Sequence, residues 1–443
     1  MKEIWSQDPF LKVVLRKQRD QEDACYRWSQ FVLPFTAGSR NCLYHTLTGQ
    51  CLESDIIDLQ NTSFFSFSQI KEDPVLHALM QDYFLVPEKK DEGAFYESIY
   101  KLRRSGLKEE GFSGYMILPV YACNARCVYC FEEGVPLVSM GKEMVEKTIS
   151  FLLSSRKQNA DLSLLWFGGE PLLGTPAIDR ICQALQENGV TYHSGMTTNG
   201  SMITESIIRR MKELWRVKSV KVSMDPGEEE YIRRKRYLNY DHTYQRVLQN
   251  INLLQEAGIQ TEVRCNVDEE NADRIPEFLS DLEKQIERKA ELYVGFAPLH
   301  ASAAKETGLP LFERIAEAEK MSRERGFRGR SPMVLSGFRV NHCMADEFCR
   351  NVVIAPDGQL YLCDFCEKGT AIGNVRDGIT RPDLVSLYNE IINTREKCRH
   401  CTFLPLCTPF SRCPIKTFHC RELQKRKTLE ALKNRLCERE ITC

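Results

Sequence analysis

Cys123-Asn124-Ala125-Arg126-Cys127-Val128-Tyr129-Cys130 is the stretch that decides how the rest of the chain is read. Its three cysteines are spaced C-x3-C-x2-C. Three thiolates can hold three irons of a cubic four-iron, four-sulfur cluster and leave the fourth iron without a protein ligand. An open coordination site on a cluster is a place for chemistry, whereas a fully ligated cluster mostly moves electrons. Zinc is the competing occupant, because soft thiolates suit it too. A structural zinc site wants four ligands, however, and no histidine or fourth cysteine lies close in sequence.

Outward from this stretch the pattern is alternating strands and helices, the mark of a parallel βα fold. Residues 115–120 form a short apolar run that ends just before Cys123. Strands are expected at 162–167, 192–197, 217–223, 260–267 and 292–297. Helices are expected at 144–153, 178–188, 205–214, 244–257 and 276–289. That makes about six βα units. The candidate functional residues cluster at strand C-terminal ends, where such sheets place their sites. The first of those ends carries Gly168-Gly169-Glu170-Pro171. Two glycines let the backbone approach a ligand closely, and a carboxylate can accept from an ammonium group.

The chain has 443 residues, with Lys+Arg 60 against Asp+Glu 61. Near-zero net charge gives no global argument for nucleic acid or an anionic membrane, and neither is expected as a partner. No stretch approaches the ~18 continuous apolar residues of a membrane helix. The first residues, Met1 to Asp8, are charged and lack the apolar run of a secretory leader. Nineteen cysteines are therefore expected to work reduced, in a cytoplasm, as metal ligands. Eleven of them fall between Cys343 and Cys443.

C-x3-C-x2-aromatic-C, followed at this distance by a strand and GGEP, resembles the signature of the radical S-adenosylmethionine (radical SAM) enzymes. The resemblance implies an α/β fold built on a partial (β/α)6 barrel over 111–310. It implies a 4Fe-4S cluster on Cys123, Cys127 and Cys130, with SAM on the open iron. A 5′-deoxyadenosyl radical would then take hydrogen from an unactivated carbon. Carried onto this sequence, Gly168, Gly169 and Glu170 would meet the SAM amino group and Tyr129 the adenine. Ser223, in Ser223-Met224-Asp225-Pro226, would meet the ribose, although Pro226 stands where the family carries glycine. Arg236 would meet the SAM carboxylate, with Arg234 as the alternative. Asn199 reads as a loop-shaping residue, and Arg264 either faces the site or pairs in the sheet.

The C-terminal region, 341–443, resembles SPASM, a cysteine-rich extension that holds auxiliary iron–sulfur clusters. Gly358 to Cys363 reproduces G-x4-C, Ile372-Gly373-Asn374-Val375 the intervening turn, and Cys398, Cys401 and Cys407 reproduce C-x2-C-x5-C. The pattern departs at Ser411, where a cysteine is usual, and Cys413 is the nearest substitute. The resemblance implies a first auxiliary cluster on Cys343, Cys349, Cys363 and Cys413. It implies a second on Cys398, Cys401, Cys407 and Cys420, for three clusters in all. Cys366, Cys437 and Cys443 are spares. Asp364, directly after Cys363, is either a turn-capping aspartate or a base on the substrate, its role in the sulfatase-maturing members.

Upstream, 31–35 reads as a strand, 41–53 as a hairpin, 74–83 as a helix and 84–87 as a closing strand. That order resembles the winged-helix-like domain that recognises the leader of a precursor peptide, here 1–110 including a linker helix at 92–106. Such a domain can offer a sheet edge to an extended peptide. Residues 311–340 read as a linker with a solvated basic run, and 422–436 as an amphipathic helix. The expected substrate is a ribosomally made precursor peptide, leader plus Cys-containing core, cross-linked through thioethers. The electron donor would be a flavodoxin- or ferredoxin-type protein. Two other readings remain open: an anaerobic sulfatase-maturing, formylglycine-generating enzyme, and a non-catalytic module stabilised by zinc.

Overall fold

The computed structural model describes residues 2–6, 8–16, 25–54, 64–105, 111–238, 243–299, 309–329, 351–364, 370–389 and 396–406, with single positions between 429 and 436. Cys343, Cys349, Cys366, Cys407, Cys413, Cys420, Cys437 and Cys443 lie outside the described residues.

The centre of the molecule is a parallel sheet. Its strands are β8 (Gly114–Ile117), β9 (Leu162–Trp166), β10 (Tyr192–Thr198), β11 (Val217–Met224), β12 (Gln260–Val267) and β13 (Tyr293–Pro298). They lie side by side in chain order, each parallel to the next. Between them run α5 (Lys142–Ser155), α6 (Thr175–Glu187), α7 (Glu205–Glu213), α8 (Glu228–Lys235), α9 (Thr243–Glu256) and α10 (Ile275–Gln285). Each long helix buries one stripe against the sheet, as with Ile178, Ile181, Cys182 and Leu185 on α6. These elements match the expected ones within four residues at each end. The exception is α8, where no helix was expected.

Two regions depart from expectation. The linker expected at 311–340 holds α11 (Leu309–Glu324) and β14 (Arg328–Gly329), the latter parallel to β13. Leu311, Ile315 and Ala318 recur at helical spacing and are buried in the barrel core, so the segment is a further βα layer. Its arginines do face outward, Arg314 pairing with Asp273 and Arg325 with Glu283. The second departure is β15 (Asn351–Ile354), which adds to the barrel sheet parallel to β8. It continues antiparallel through β16 (Gln359–Tyr361), β17 (Gly373–Asn374) and β18 (Gly378–Ile379). The first part of the cysteine-rich region thus continues the central sheet.

The N-terminal region is a lobe of two small antiparallel sheets. One orders β1 (Lys2–Trp5), β5 (Cys51–Glu53), β4 (Arg40–His45) and β3 (Val32–Ala37). The other orders β6 (Phe65–Ser66), β2 (Cys25–Trp28) and β7 (Leu85–Pro87). Around them lie α1 (Pro9–Arg16), α2 (Phe67–Glu72), α3 (Pro74–Gln81) and α4 (Glu92–Ser105). The expected hairpin is β4–β5 and the expected helix is α3, which Asp73 caps through its carboxylate and Pro74 opens.

Cys398 and Cys401 pack on this lobe, against a core that contains Leu11, Phe31 and Leu404. Gln30 Nε2 donates to Arg399 O at 2.8 Å and Thr46 Oγ1 to Thr402 O at 2.5 Å. Of the helix expected at 422–436, Leu432 and Leu436 are buried against Trp5, Phe35 and Tyr44. The two ends of the chain therefore share one hydrophobic core. Among the described residues no helix is long and apolar enough to cross a membrane.

Candidate active site at the strand C-terminal ends

The cysteine loop begins where β8 ends and lies across the sheet's C-terminal edge. Its path is held from beneath by α8. A helix leaves its last carbonyls without intrahelical partners. Here the N–H groups of the loop fill that role: Arg126 N donates to Lys235 O at 2.9 Å and Arg236 O at 3.1 Å, and Val128 N to Arg234 O at 3.0 Å. Leu238 N returns the contact to Asn124 O at 2.8 Å. Arg236 adopts the left-handed conformation, φ 48°, and this turns the chain out of α8 and alongside the loop. On the far side Phe131 stacks on Phe167, centroids 6.3 Å apart.

Gly168 and Gly169 pack tightly on the protein's own backbone. A Cβ on Gly168 would stand 2.5 Å from Val120 O, and one on Gly169 2.3 Å from Ala122 O. The glycines let the β9 end pack on the backbone that leads into Cys123, so the close approach they serve is to the protein itself. Glu170 is fully buried, and its carboxylate accepts from Thr198 Oγ1 (2.7 Å), Asn199 N (2.9 Å) and Leu172 N (3.2 Å). It ties the ends of β9 and β10 together. Burial nonetheless raises its pKa, against the lowering effect of these donors. Asn199 shapes the loop as expected, and its Nδ2 also reaches Asn124 Oδ1 at 2.7 Å and Cys123 Sγ at 3.9 Å.

Four consecutive basic residues divide here. Arg233 is exposed and bonds Glu230. Arg234 is buried and held by Glu230, Asp268 and Glu270 in a closed ion network. Arg236, expected on the SAM carboxylate, is exposed, with Nε turned to Arg233 O at 3.4 Å. Lys235, which sequence reasoning missed, points inward. It is 2% exposed, and Nζ donates to Ser223 Oγ at 2.8 Å. Its charge acts on Cys123, Cys127, Glu170 and Asp225. Tyr231, Arg234 and Lys235 are the buried positions of α8, spaced i, i+3, i+4. That periodicity was the available signal.

Asp225 was quoted in the sequence only as a neighbour of Ser223. It is fully buried at the end of β11. Its Oδ2 accepts from Tyr129 OH at 2.5 Å, and Asn266 Nδ2 donates to the same hydroxyl at 3.2 Å. Its Oδ1 has no partner among the described residues. Burial lifts the Asp225 pKa from 3.8 to about 6. Arg264 lies near enough to Asp364 for its charge to lower that carboxyl's pKa, which burial raises. Cys363 packs against the barrel core.

The three thiols suit a metal cluster in chemistry and share one loop, although among the described residues no three side chains already stand together as a formed metal site. Each is half-buried, and burial raises its pKa, for Cys123 to about 12. Cys127 couples electrostatically to both Cys123 and Cys130. Ala125 N points at Cys123 Sγ, 3.4 Å away. Desolvated thiols become thiolates when a cation replaces their protons. A buried ammonium and an unpaired carboxylate oxygen beside them suit a ligand that carries both an acidic group and hydroxyls.

Residues 117–282 match the Radical SAM superfamily. The chain is 25% identical over 265 residues to a serine-type anaerobic sulfatase-maturating enzyme of Klebsiella aerogenes, a match covering 55% of this chain and 64% of that enzyme. It is 24% identical over 306 residues to molybdenum cofactor biosynthesis protein 1 of Bos taurus, covering 63% of this chain and 45% of that protein. In fold it resembles native anSMEcpe with bound AdoMet and Kp18Cys peptide, with TM-score 0.55 and 18% identity, covering 74% of this chain and 99% of that one. It also resembles Streptococcus suis SuiB bound to precursor peptide SuiA, with TM-score 0.51 and 14% identity, covering 86% and 94%. Residues 117–282 of this chain are a radical SAM domain.

Proposed function

We propose that the chain is a radical SAM enzyme that oxidises a peptide. The observation that carries this reading is the cysteine loop lying across the strand ends with Lys235, Ser223 and Asp225 gathered beneath it. Cys123, Cys127 and Cys130 would hold the 4Fe-4S cluster. Bound together, the reduced cluster and SAM supply a radical able to take hydrogen from an unactivated carbon. Lys235 would neutralise the SAM carboxylate, in place of Arg236. Ser223 and Asp225 Oδ1 would orient hydroxyl donors, and Tyr129, its hydroxyl anchored on Asp225, would present its ring. Glu170 would fix the floor of the site instead of binding the amine directly. Auxiliary clusters on Cys343, Cys349, Cys363 and Cys413, and on Cys398, Cys401, Cys407 and Cys420, would take up the electron released by a net oxidation.

The N-terminal lobe supports a peptide as substrate, since β3 and β1 are edges of a short antiparallel sheet to which a strand can add. The finer reading is a precursor-peptide maturase that closes thioethers from substrate cysteines. A second reading, sulfatase maturation, is favoured by one observation: Asp364 sits in a desolvated position within reach of the Arg264 charge. There it would serve as the base, and the similarity to a sulfatase-maturating enzyme points the same way.

The test is anaerobic reconstitution with iron and sulfide, then incubation with SAM and either a Cys-rich precursor peptide or a sulfatase peptide. Formation of 5′-deoxyadenosine with loss of a pair of hydrogens per cross-link supports the first reading. Formylglycine in the sulfatase peptide supports the second. Failure to cleave SAM at all sinks both.

A further inference from the structure

The outer surface of the cysteine loop is apolar and cationic at once. Segments 124–128 and 234–238 run antiparallel, joined by the backbone bonds given above. From this ribbon Val128 (43% exposed) and Leu238 (42%), and from the adjoining turn of α8 Ile232 (52%), present apolar side chains to solvent. Arg126 and Arg236 flank them, both exposed, and among the described residues neither forms an ion pair with a carboxylate. Arg126 Nη1 contacts only the carbonyls of Cys123 and Ala125. Arg233 adds a third cation, which Glu230 pairs at 2.6 Å. Glu132 and Glu133 make the Cys130 end of the loop acidic. Exposed apolar side chains ringed by unpaired cations mark an interaction surface, and complementary charge selects the partner and speeds its encounter.

We infer that this ribbon is the docking surface for an acidic one-electron carrier protein. The inference rests on the radical SAM reading and names where its reductant binds. Val128 and Arg126 are the sequence neighbours of Cys127, so a carrier seated here stands one side chain from a cluster ligand. The step is a single-electron transfer: the carrier is oxidised by one electron, the cluster bound by Cys127 is reduced by one, and no bond forms or breaks. The patch is small, as suits a transient redox encounter. The acidic end at Cys130 sets the carrier's orientation by repelling its acidic rim.

The experiment uses the reconstituted holoenzyme, an acidic flavodoxin and, separately, dithionite. Ile232→Glu/Arg236→Glu should weaken flavodoxin binding about tenfold in a low-salt titration. It should slow flavodoxin-driven 5′-deoxyadenosine formation by a similar factor and leave the dithionite-driven rate unchanged. High salt should abolish the difference in binding. Arg209→Glu, the same charge change on the exposed face of α7, should leave both rates and the affinity as they were. Unchanged flavodoxin binding in the double variant, or equal loss with both reductants, overturns the docking surface. Wild-type protein that makes no 5′-deoxyadenosine even with dithionite overturns the radical SAM reading and this inference together.

Discussion

Glu92 in the N-terminal lobe and Asp225 at the end of β11 are both buried carboxylates, and their surroundings treat them oppositely. Glu92, 1% exposed, accepts from Ser29 Oγ at 2.5 Å, Gln30 N at 2.9 Å and Arg27 Nη1 at 2.8 Å. Each of its oxygens has a donor and a cation is in direct contact. Asp225, 0% exposed, has one donor on Oδ2, none on Oδ1 among the described residues, and a pKa lifted to about 6. A buried carboxylate that only holds a fold together is saturated, because an unmade hydrogen bond there is costly. One that stays unsaturated belongs to a place built to receive something else. His45 repeats the lobe's pattern: it is fully buried, with Nε2 on Tyr83 O and Nδ1 accepting from Thr48 N.

The largest effect should separate the cysteines of the two regions. Cys127→Ala should remove about four irons per chain from the reconstituted protein and abolish 5′-deoxyadenosine formation. Cys42→Ala, a change to a buried thiol in the lobe's sheet, should leave the iron content unaltered. Iron and sulfide analysis reads both. If Cys127→Ala keeps its iron, the loop is not the cluster site and the comparison falls.

The next effect tests the unsaturated carboxylate through pH. Raising a carboxyl pKa on folding stabilises the folded state while the group is protonated. That contribution is full below 3.8 and is lost as pH rises through about 6. For Asp225 it amounts to about 3 kcal/mol in the ligand-free chain. Asp225→Asn should remove this term, so the stability difference between variant and wild type should shift in favour of the variant from pH 4 to pH 7. Denaturant titrations at the two pH values measure it. A difference that does not move with pH would show that Asp225 is saturated after all.

Lys235→Ala should cost about 1.5–3 kcal/mol of SAM binding, the worth of a hydrogen bond to a charged group. Arg236→Ala, one residue on, should leave SAM affinity unchanged. Equilibrium binding to the reconstituted enzyme distinguishes them, and a reversed result would restore the arginine to the site.

These neighbours also show where the sequence stopped being legible. The βα alternation located every strand from β8 to β13, because buried parallel strands and amphipathic helices write their period into the chain. The cysteine spacing and the GGEP turn marked the right edge of the sheet. The roles inside that edge were not legible, because they depend on directions. Gly168 and Gly169 face Val120 O and Ala122 O, a pairing between segments 47 and 48 residues apart. Lys235 faces inward because Tyr231 anchors that face of α8, and a run of acidic and basic residues hid the helix. β15 joined the barrel because its partner edge, β8, was open, and nothing local to Asn351–Ile354 states which sheet it extends.

The smallest effect probes the lobe. Glu92→Gln keeps one carbonyl acceptor and removes the charge that Arg27 meets. Arg27 also donates to the carbonyls of Trp28, Glu88 and Lys90, and its side chain is 26% exposed, so water recovers part of the loss. The cost should be about 1–2 kcal/mol, seen as an earlier unfolding transition of the lobe. Uncoupled 5′-deoxyadenosine formation should be unchanged, because among the described residues Glu92 is bonded by Arg27, Ser29 and Gln30 of the lobe itself. Peptide modification should fall if the lobe carries the peptide. Should SAM cleavage fall in step with peptide modification, the saturated carboxylate would be part of the catalytic unit. The division between a region that holds and a region that reacts would then have to be redrawn through the core that Leu404, Phe403 and Leu432 share with the lobe.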